Sequence, residues 1–275
     1  MQLMRPASRR ALAEATERLD GYLDGAAEAD AERFGEELFS AVDVLTAEAV
    51  LRRHLADPAT DPADRGRLLK AVFGKKLGKP AMQTLDGLVA ARWSQPRDLV
   101  DAAETLGRLA LLAVAERQGV IEDVEDELFR AGRIVDREPQ LAGLLGDLTA
   151  PAQRRAELLR SVVTGKVHKV TERLLVRALQ APQRPSLDRD AEELAELAAA
   201  RRERSIAKVS TPVALTDDQQ ERLTAALARI YGRPMSLQIE LDPELLGGLV
   251  VRVADELIDG SVAGRLEAAR RLLPH

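Results

Sequence analysis

ELFSAVDVLTAEAVLRRHLAD, residues 37–57, and ELFRAGRIVDREPQLAGLLGD, residues 127–147, align without gaps and share 8 of 21 positions. At the same offset of 90, RGRLLKAVFGKKLGK (65–79) meets RAELLRSVVTGKVHK (155–169) with 6 identities in 15. That is more than a chain rich in Leu, Ala and Arg gives by chance, so the sequence contains an internal repeat. Further on the offset slips, and AETLGRLA (103–110) meets AEELAELA (191–198). Both copies are dominated by Ala, Leu, Arg and Glu, which are strong helix formers. In Asp98–Glu116, Leu99, Ala102, Leu106, Leu109 and Ala113 fall on one stripe at spacings of three and four, with Asp101, Glu104 and Arg108 elsewhere. Each copy therefore reads as four or five short helices. The first also has an additional opening helix, about Ala7–Tyr22, which the second lacks. Two copies are too few for a long solenoid, so the expectation is two adjacent helical bundles.

Proline marks the breaks. Asp57-Pro58, Asp61-Pro62, Gln95-Pro96 and Ala181-Pro182 to Pro185 fall between helices, because the residue before proline resists the α region. Beyond Ser205 the pattern changes. SIAKVSTPVAL (205–215) reads as extended, and Thr216 opens a helix that stops at Gly232. MSLQIEL (235–241) alternates as a half-buried strand does. LGGLVVRVA (246–254) and ELIDG (256–260) read as a hairpin, with Ser261 opening a last helix to Leu273. The expected fold is mainly α: a helical bundle over 1–120, a second, repeated helical bundle over 121–205, and a small C-terminal α/β module over 206–275.

Composition narrows the function. The 275 residues are 45% hydrophobic but only 3% aromatic, so the cores must be built from Leu, Ala and Val. The net charge of −5 argues against a dedicated nucleic-acid binder, which normally shows a basic face. There is no cysteine, hence no disulfide, thiolate metal site or cysteine nucleophile. His54, His168 and His275 lie far apart and form no metal-binding pair. The run LALLAVA (109–115) is far short of the ~20 residues that span a bilayer, and the N-terminus lacks the apolar stretch of a secretory signal. These features describe a soluble intracellular protein, able to sit on a membrane complex without inserting into it.

No catalytic constellation stands out. Gly74-Lys75-Lys76-Leu77-Gly78-Lys79-Pro80 has the wrong glycine spacing for a phosphate-binding loop and carries Pro80 in place of the hydroxyl, so it reads as a basic helix-to-helix connection. Gly247-Gly248 opens a strand rather than a helix and suits a bulge or close backbone approach. The acidic run Glu122–Glu127 lacks calcium-loop spacing and reads as a solvated helix start. Trp93 reads as core or groove lining. Arg252, between Val251 and Val253, reads by strand alternation as a solvated outward residue, with a partner contact as the alternative. The residues alone describe a non-enzymatic, helix-rich protein that binds other proteins, with no cofactor.

LLGGLVVRVADELIDGSVAGRLEAARRLL (245–273) resembles the closing segment of the delta subunit of bacterial F-type ATP synthases, relatives of the mitochondrial oligomycin-sensitivity-conferring protein. The carrying residues are Gly247-Gly248, the strand with Arg252, Ile258-Asp259-Gly260-Ser261 and Gly264-Arg265-Leu266. Arg5-Pro6-Ala7-Ser8-Arg9-Arg10-Ala11-Leu12 is similar to the opening helix of that family. Ordinary members have one bundle and are about a hundred residues shorter. The second copy and the excess of Arg over Lys are similar to the long actinobacterial versions. The resemblance covers Arg5 to about Val120 and Ile206 to the end, and assigns nothing to the inserted copy. It implies a peripheral-stalk (stator) role on the cytoplasmic side of the cell membrane. The first bundle would hold the N-terminal helix of an α subunit, and the C-terminal module would meet the b-type stalk. Leu12, Ala15, Leu19, Met82, Leu85 and Val89 are the expected groove lining, with plain core as the alternative. Arg252 and Arg265 are the expected stalk contacts. Two rival readings stay open: a helical adaptor unrelated to energy conversion, and an RNA-binding helical protein using Lys75, Lys76, Lys79, Lys166 and Lys169.

Overall fold

The computed structural model describes residues 4–180, 186–253 and 256–263. Its contacts divide the chain into two compact units, Met1–Ala198 and Ala199–His275.

The first unit is helical. It holds α1 (Pro6–Gly25), α2 (Glu28–Ala47), α3 (Ala49–Ala56), α4 (Pro62–Phe73), α5 (Lys79–Ala90), α6 (Pro96–Arg117), α7 (Ile121–Arg137), α8 (Pro139–Gly146), α9 (Ala152–Val163), α10 (Lys169–Gln180) and most of α11 (Leu187–Arg204). The repeat is exact in register: α8, α9 and α10 start 90 residues after α3, α4 and α5 and match them in length at 8, 12 and 12 residues. Caps set several starts. Asp61 accepts from the backbone N–H of Ala63 with Pro62 in the first turn, and Gln95 with Asp98 forms a capping box on α6.

The same device starts α5 and α10. Glu37 on α2 accepts from the Gly78 N–H at 2.9 Å, and Glu127 on α7 accepts from the His168 N–H at 2.9 Å. A carboxylate thus occupies the positive end of each helix, where it is favoured. The basic connection is structural, and Glu127 belongs to this cap rather than to a solvated turn.

The helix α6 departs from the one-stripe reading. From Leu106 to Glu116 every residue is buried, Arg108 included. The reason is that α6 serves both copies: it packs on α1, α2, α3 and α5 and also on α7 and α10. Within the second copy it fills the place that α1 holds in the first, which is why the repeat needs no second opening helix. One hydrophobic cluster of mainly Leu, Ala and Val runs from Ala11 to Ala198.

The second unit contains β1 (Ile206–Thr211), α12 (Asp217–Tyr231), β2 (Ser236–Leu241), β3 (Val250–Val253) and β4 (Glu256–Asp259). The sheet order is β2-β1-β3-β4, with β1 and β2 parallel and the other pairs antiparallel. The helix α12 makes the parallel crossover, as such a pair requires. It starts at a capping box of Thr216 and Gln219 and ends at Gly232, whose φ is 65°. Ala207, Val209, Leu227, Met235, Val251 and Val253 form its core. The last helix expected from Ser261 to Leu273 lies almost wholly outside the described residues.

Candidate functional site

The opening helix is anchored at its first turn. The buried Ser8 hydroxyl donates to Asp98 at 2.6 Å and accepts from the Ser94 N–H at 2.9 Å, which ties α1 to the start of α6. From there α1 runs along α5 and α6. Leu12, Ala15 and Leu19 of α1 and Leu85 and Val89 of α5 are all buried in the core, and Met82 is half-buried. Five of the six residues expected to line a groove thus pack inside the bundle, while Met82 reaches its surface. Arg18 lies against Gly87 across the same seam, its guanidinium 3.5 Å from where a Cβ would stand. The outer side of α1 presents Arg9, Arg10, Ala13, Glu14 and Glu17 to solvent.

Two concavities flank the turn after α3. One of about 330 Å³ is lined by Pro58, Ala59, Arg65, Ala90, Ala91 and Arg92. The other, about 470 Å³, is bordered by Val50, His54, Pro58 and Trp93. Trp93 is buried, and its indole N–H donates to the Leu88 carbonyl at 2.7 Å, so it is core at the floor of a shallow depression.

In the second unit, Arg252 is exposed, as its strand position requires. Its neighbour in register on β1 is Lys208, which stands beside Gln238 on β2; on the other side Arg252 faces Leu257 on β4. One row thus crosses the sheet: Gln238, Lys208, Arg252, Leu257. Like charges placed directly opposite each other destabilise a sheet, so a Lys–Arg pair on an open face asks for an acidic neighbour. Lys208 was not singled out by sequence, because strand register cannot be read before pairing is known. Arg265 lies outside the described residues.

The glycine pair and the Ile258–Ser261 segment turn out to touch. Gly248, with φ 81°, leaves no room for a side chain: a Cβ there would lie 2.9 Å from the Ser261 Cα and closer still to the Gly260 carbonyl oxygen. The Gly260 N–H donates to the Leu249 carbonyl at 3.0 Å and the Val262 N–H to the Gly247 carbonyl at 2.9 Å. Asp259 accepts from the Ser261 N–H at 2.9 Å, and the Ser261 hydroxyl and this N–H hold its carboxyl below the usual carboxylate range. The motif is a backbone lock at the end of the sheet.

Among the described residues, no group of three or more His, Asp or Glu is placed to hold a metal ion, and no helix is long and apolar enough to cross a membrane. What the molecule offers is helix faces and an open sheet face, the equipment of a protein-docking scaffold. The family model for the ATP synthase delta (OSCP) subunit matches residues 109–273. ATP synthase subunit delta of Streptomyces avermitilis is 48% identical over 96% of this chain and 97% of its own length. Its counterpart in Streptomyces griseus is 47% identical over 98% of both chains. A chain of the Toxoplasma gondii mitochondrial ATP synthase hexamer, 20% identical, covers 61% of this chain and 96% of itself with a TM-score of 0.30. The chain belongs to the ATP synthase delta (OSCP) subunit family. It is a peripheral-stalk component, and the unrelated-adaptor and RNA-binding readings give way to that one.

Proposed function

We propose that this chain is a passive, non-catalytic clamp, peripheral to the cytoplasmic side of the cell membrane, that joins the catalytic head to the b-type stalk. In the three-part division, residues 1–120 hold an α-subunit N-terminal helix along the α1–α5 seam, and 206–275 meet the end of the stalk through the row of Lys208 and Arg252. The observation that carries the head contact is the asymmetry of the repeat. In the second copy the place of α1 is taken by the buried α6, so only the first copy presents this seam on an outer helix. An amphipathic partner helix docks its apolar face on such a seam, with Met82 as the apolar contact and Arg18 at the rim. The core residues Leu12, Ala15, Leu19, Leu85 and Val89 set its shape from beneath.

The test is a titration of the full chain with a peptide of the α N-terminus. Met82→Asp, at a half-buried position, should weaken binding by about tenfold or more with the fold kept by circular dichroism. Lys208→Glu with Arg252→Glu should leave that titration unchanged and weaken binding of a peptide from the b C-terminus. Saturation unmoved by Met82→Asp places the α contact on another face.

A further inference from the structure

The internal repeat contains one interface that is filled in the first copy and open in the second. Glu32, Glu36, Phe39 and Asp43 form one stripe on α2, at spacings of four, three and four. The helix α10 lies on it. Arg173 pairs with Glu32 at 3.1 Å and with Glu36 at 2.7 Å. Arg177, one turn on, stacks over the Phe39 ring at 4.6 Å and pairs with Asp43 at 2.8 Å and with Glu104 of α6 at 2.7 Å. Two arginines one turn apart are thus received by an acidic stripe, a phenyl ring and a glutamate on the next helix.

Ninety residues on, the stripe recurs on α7 as Glu122, Asp126, Phe129 and Arg133, and at the slipped offset of 88 Glu192 on α11 aligns with Glu104 on α6. The helix α7 also meets α11 closely: at Gly132 the position of a Cβ lies 3.1 Å from the Asp188 carbonyl oxygen and 3.4 Å from the Ala191 Cβ. Here the ring is open. Phe39 is 5% exposed and Phe129 53%. Glu122, Asp126 and Glu192 are exposed too. Among the described residues Asp126 pairs along its own helix, with Arg130, at 3.1 Å in a solvated contact that yields at little cost. An exposed aromatic that shares its stripe with carboxylates is complementary to arginine, which stacks and forms ion pairs at once.

We propose that the face made by Glu122, Asp126 and Phe129 of α7 with Glu192 of α11 docks an amphipathic helix of another ATP synthase subunit, carrying two arginines four residues apart, in the manner in which the first copy holds α10. Arg133 takes the place of Asp43, which pairs with Arg177 in the first copy, so the visitor's second arginine is received by Phe129 and Glu192 without that counterpart. This gives the repeated bundle a contact of its own, on a face distinct from the α1–α5 seam. The inference rests on membership of the ATP synthase complex, which copurification with α and β chains establishes on the same sample, independently of any crosslink.

The chain has no cysteine, so Phe129→Cys, or Asp126→Cys as a second attachment point, takes a single benzophenone maleimide. The labelled subunit is built into the purified complex, irradiated, and the adducts are mapped by mass spectrometry. The expected adduct lies on a helix of another subunit with an Arg-x-x-x-Arg pair. Reversing charge with Asp126→Arg and Glu192→Arg in the Phe129→Cys background should cut its yield at least fivefold, while Asp217→Arg on α12 does not. The proposal is overturned by adducts confined to this chain or to a second copy of it, by adducts on a segment lacking the arginine pair, or by a yield indifferent to the charge reversal.

Discussion

Gly248 occupies a backbone conformation with φ 81° and has the backbone of Gly260 and Ser261 pressed against the side where a Cβ would stand. Left-handed backbone is costly for any residue with a side chain. The obstacle is also main chain, which cannot rotate aside as a lysine tip would. Gly248→Ala should therefore destabilise the second unit by about 2–4 kcal/mol, through strain and overpacking together. Gly21, on the outside of α1 with nothing within 4 Å of a Cβ, is the control. There Gly→Ala in a helix interior should gain about 0.5–1 kcal/mol. Denaturant melts followed by circular dichroism distinguish the two. An unaltered midpoint for Gly248→Ala would mean that the lock between Gly247-Gly248 and Gly260-Ser261 carries no load.

At the scale of elements, the contact of α10 with α2 and α6 rests on Arg177, whose side chain is 7% exposed. Burial alone would lower its pKa, but hydrogen bonds and the charges of Glu104 and then Asp43 outweigh that and raise it. Glu104 also accepts from the buried Arg108 at 3.1 Å. Arg177→Ala leaves Glu104 with one partner fewer in a dry setting and uncovers Phe39, so it should cost about 3 kcal/mol in a thermal or denaturant melt. Arg173→Ala, in a half-buried pair, should cost less than about 1 kcal/mol. Equal effects would show that the inner arginine is not special. This contact also marks where sequence reading stops. Helix starts 90 residues apart and the alternating strands were legible, because caps, prolines and periodicity are local. The sharing of α6 was not: the stripe Leu99–Ala113 is what a one-sided helix shows, and the burial of Arg108 needs a second bundle to supply it. The stripes of Leu12 and Leu19 on α1 and of Leu85 on α5 read alike whether they line a groove or fill a core, so spacing could not decide between the two. Phe39 and Phe129 align in the repeat, and only the presence of α10 makes one core and the other surface.

For the whole molecule, α6 makes the two copies mechanically one body. A clamp under rotary load gains from this, because contacts that open slowly are well packed rather than charged at the rim. The thermodynamic consequence is that residues 1–120 should not behave as a self-sufficient bundle. Removing 121–198 uncovers the Phe39 ring and the faces of α6 that meet α7 and α10, and each large apolar side chain returned to water forfeits about 1.5–3 kcal/mol. It also strips Glu104 and Asp43 of Arg177. The fragment 1–120 should therefore melt about 10 °C or more below the fragment 1–198 and bind an apolar dye that the longer fragment excludes. The longer fragment should unfold in one transition, since a single hydrophobic cluster spans it. Two separated transitions in 1–198, the first leaving 1–120 intact, would mean that the copies are neighbours joined by a helix and not one load-bearing body. Deleting the second bundle should then leave the stalk as stiff as before.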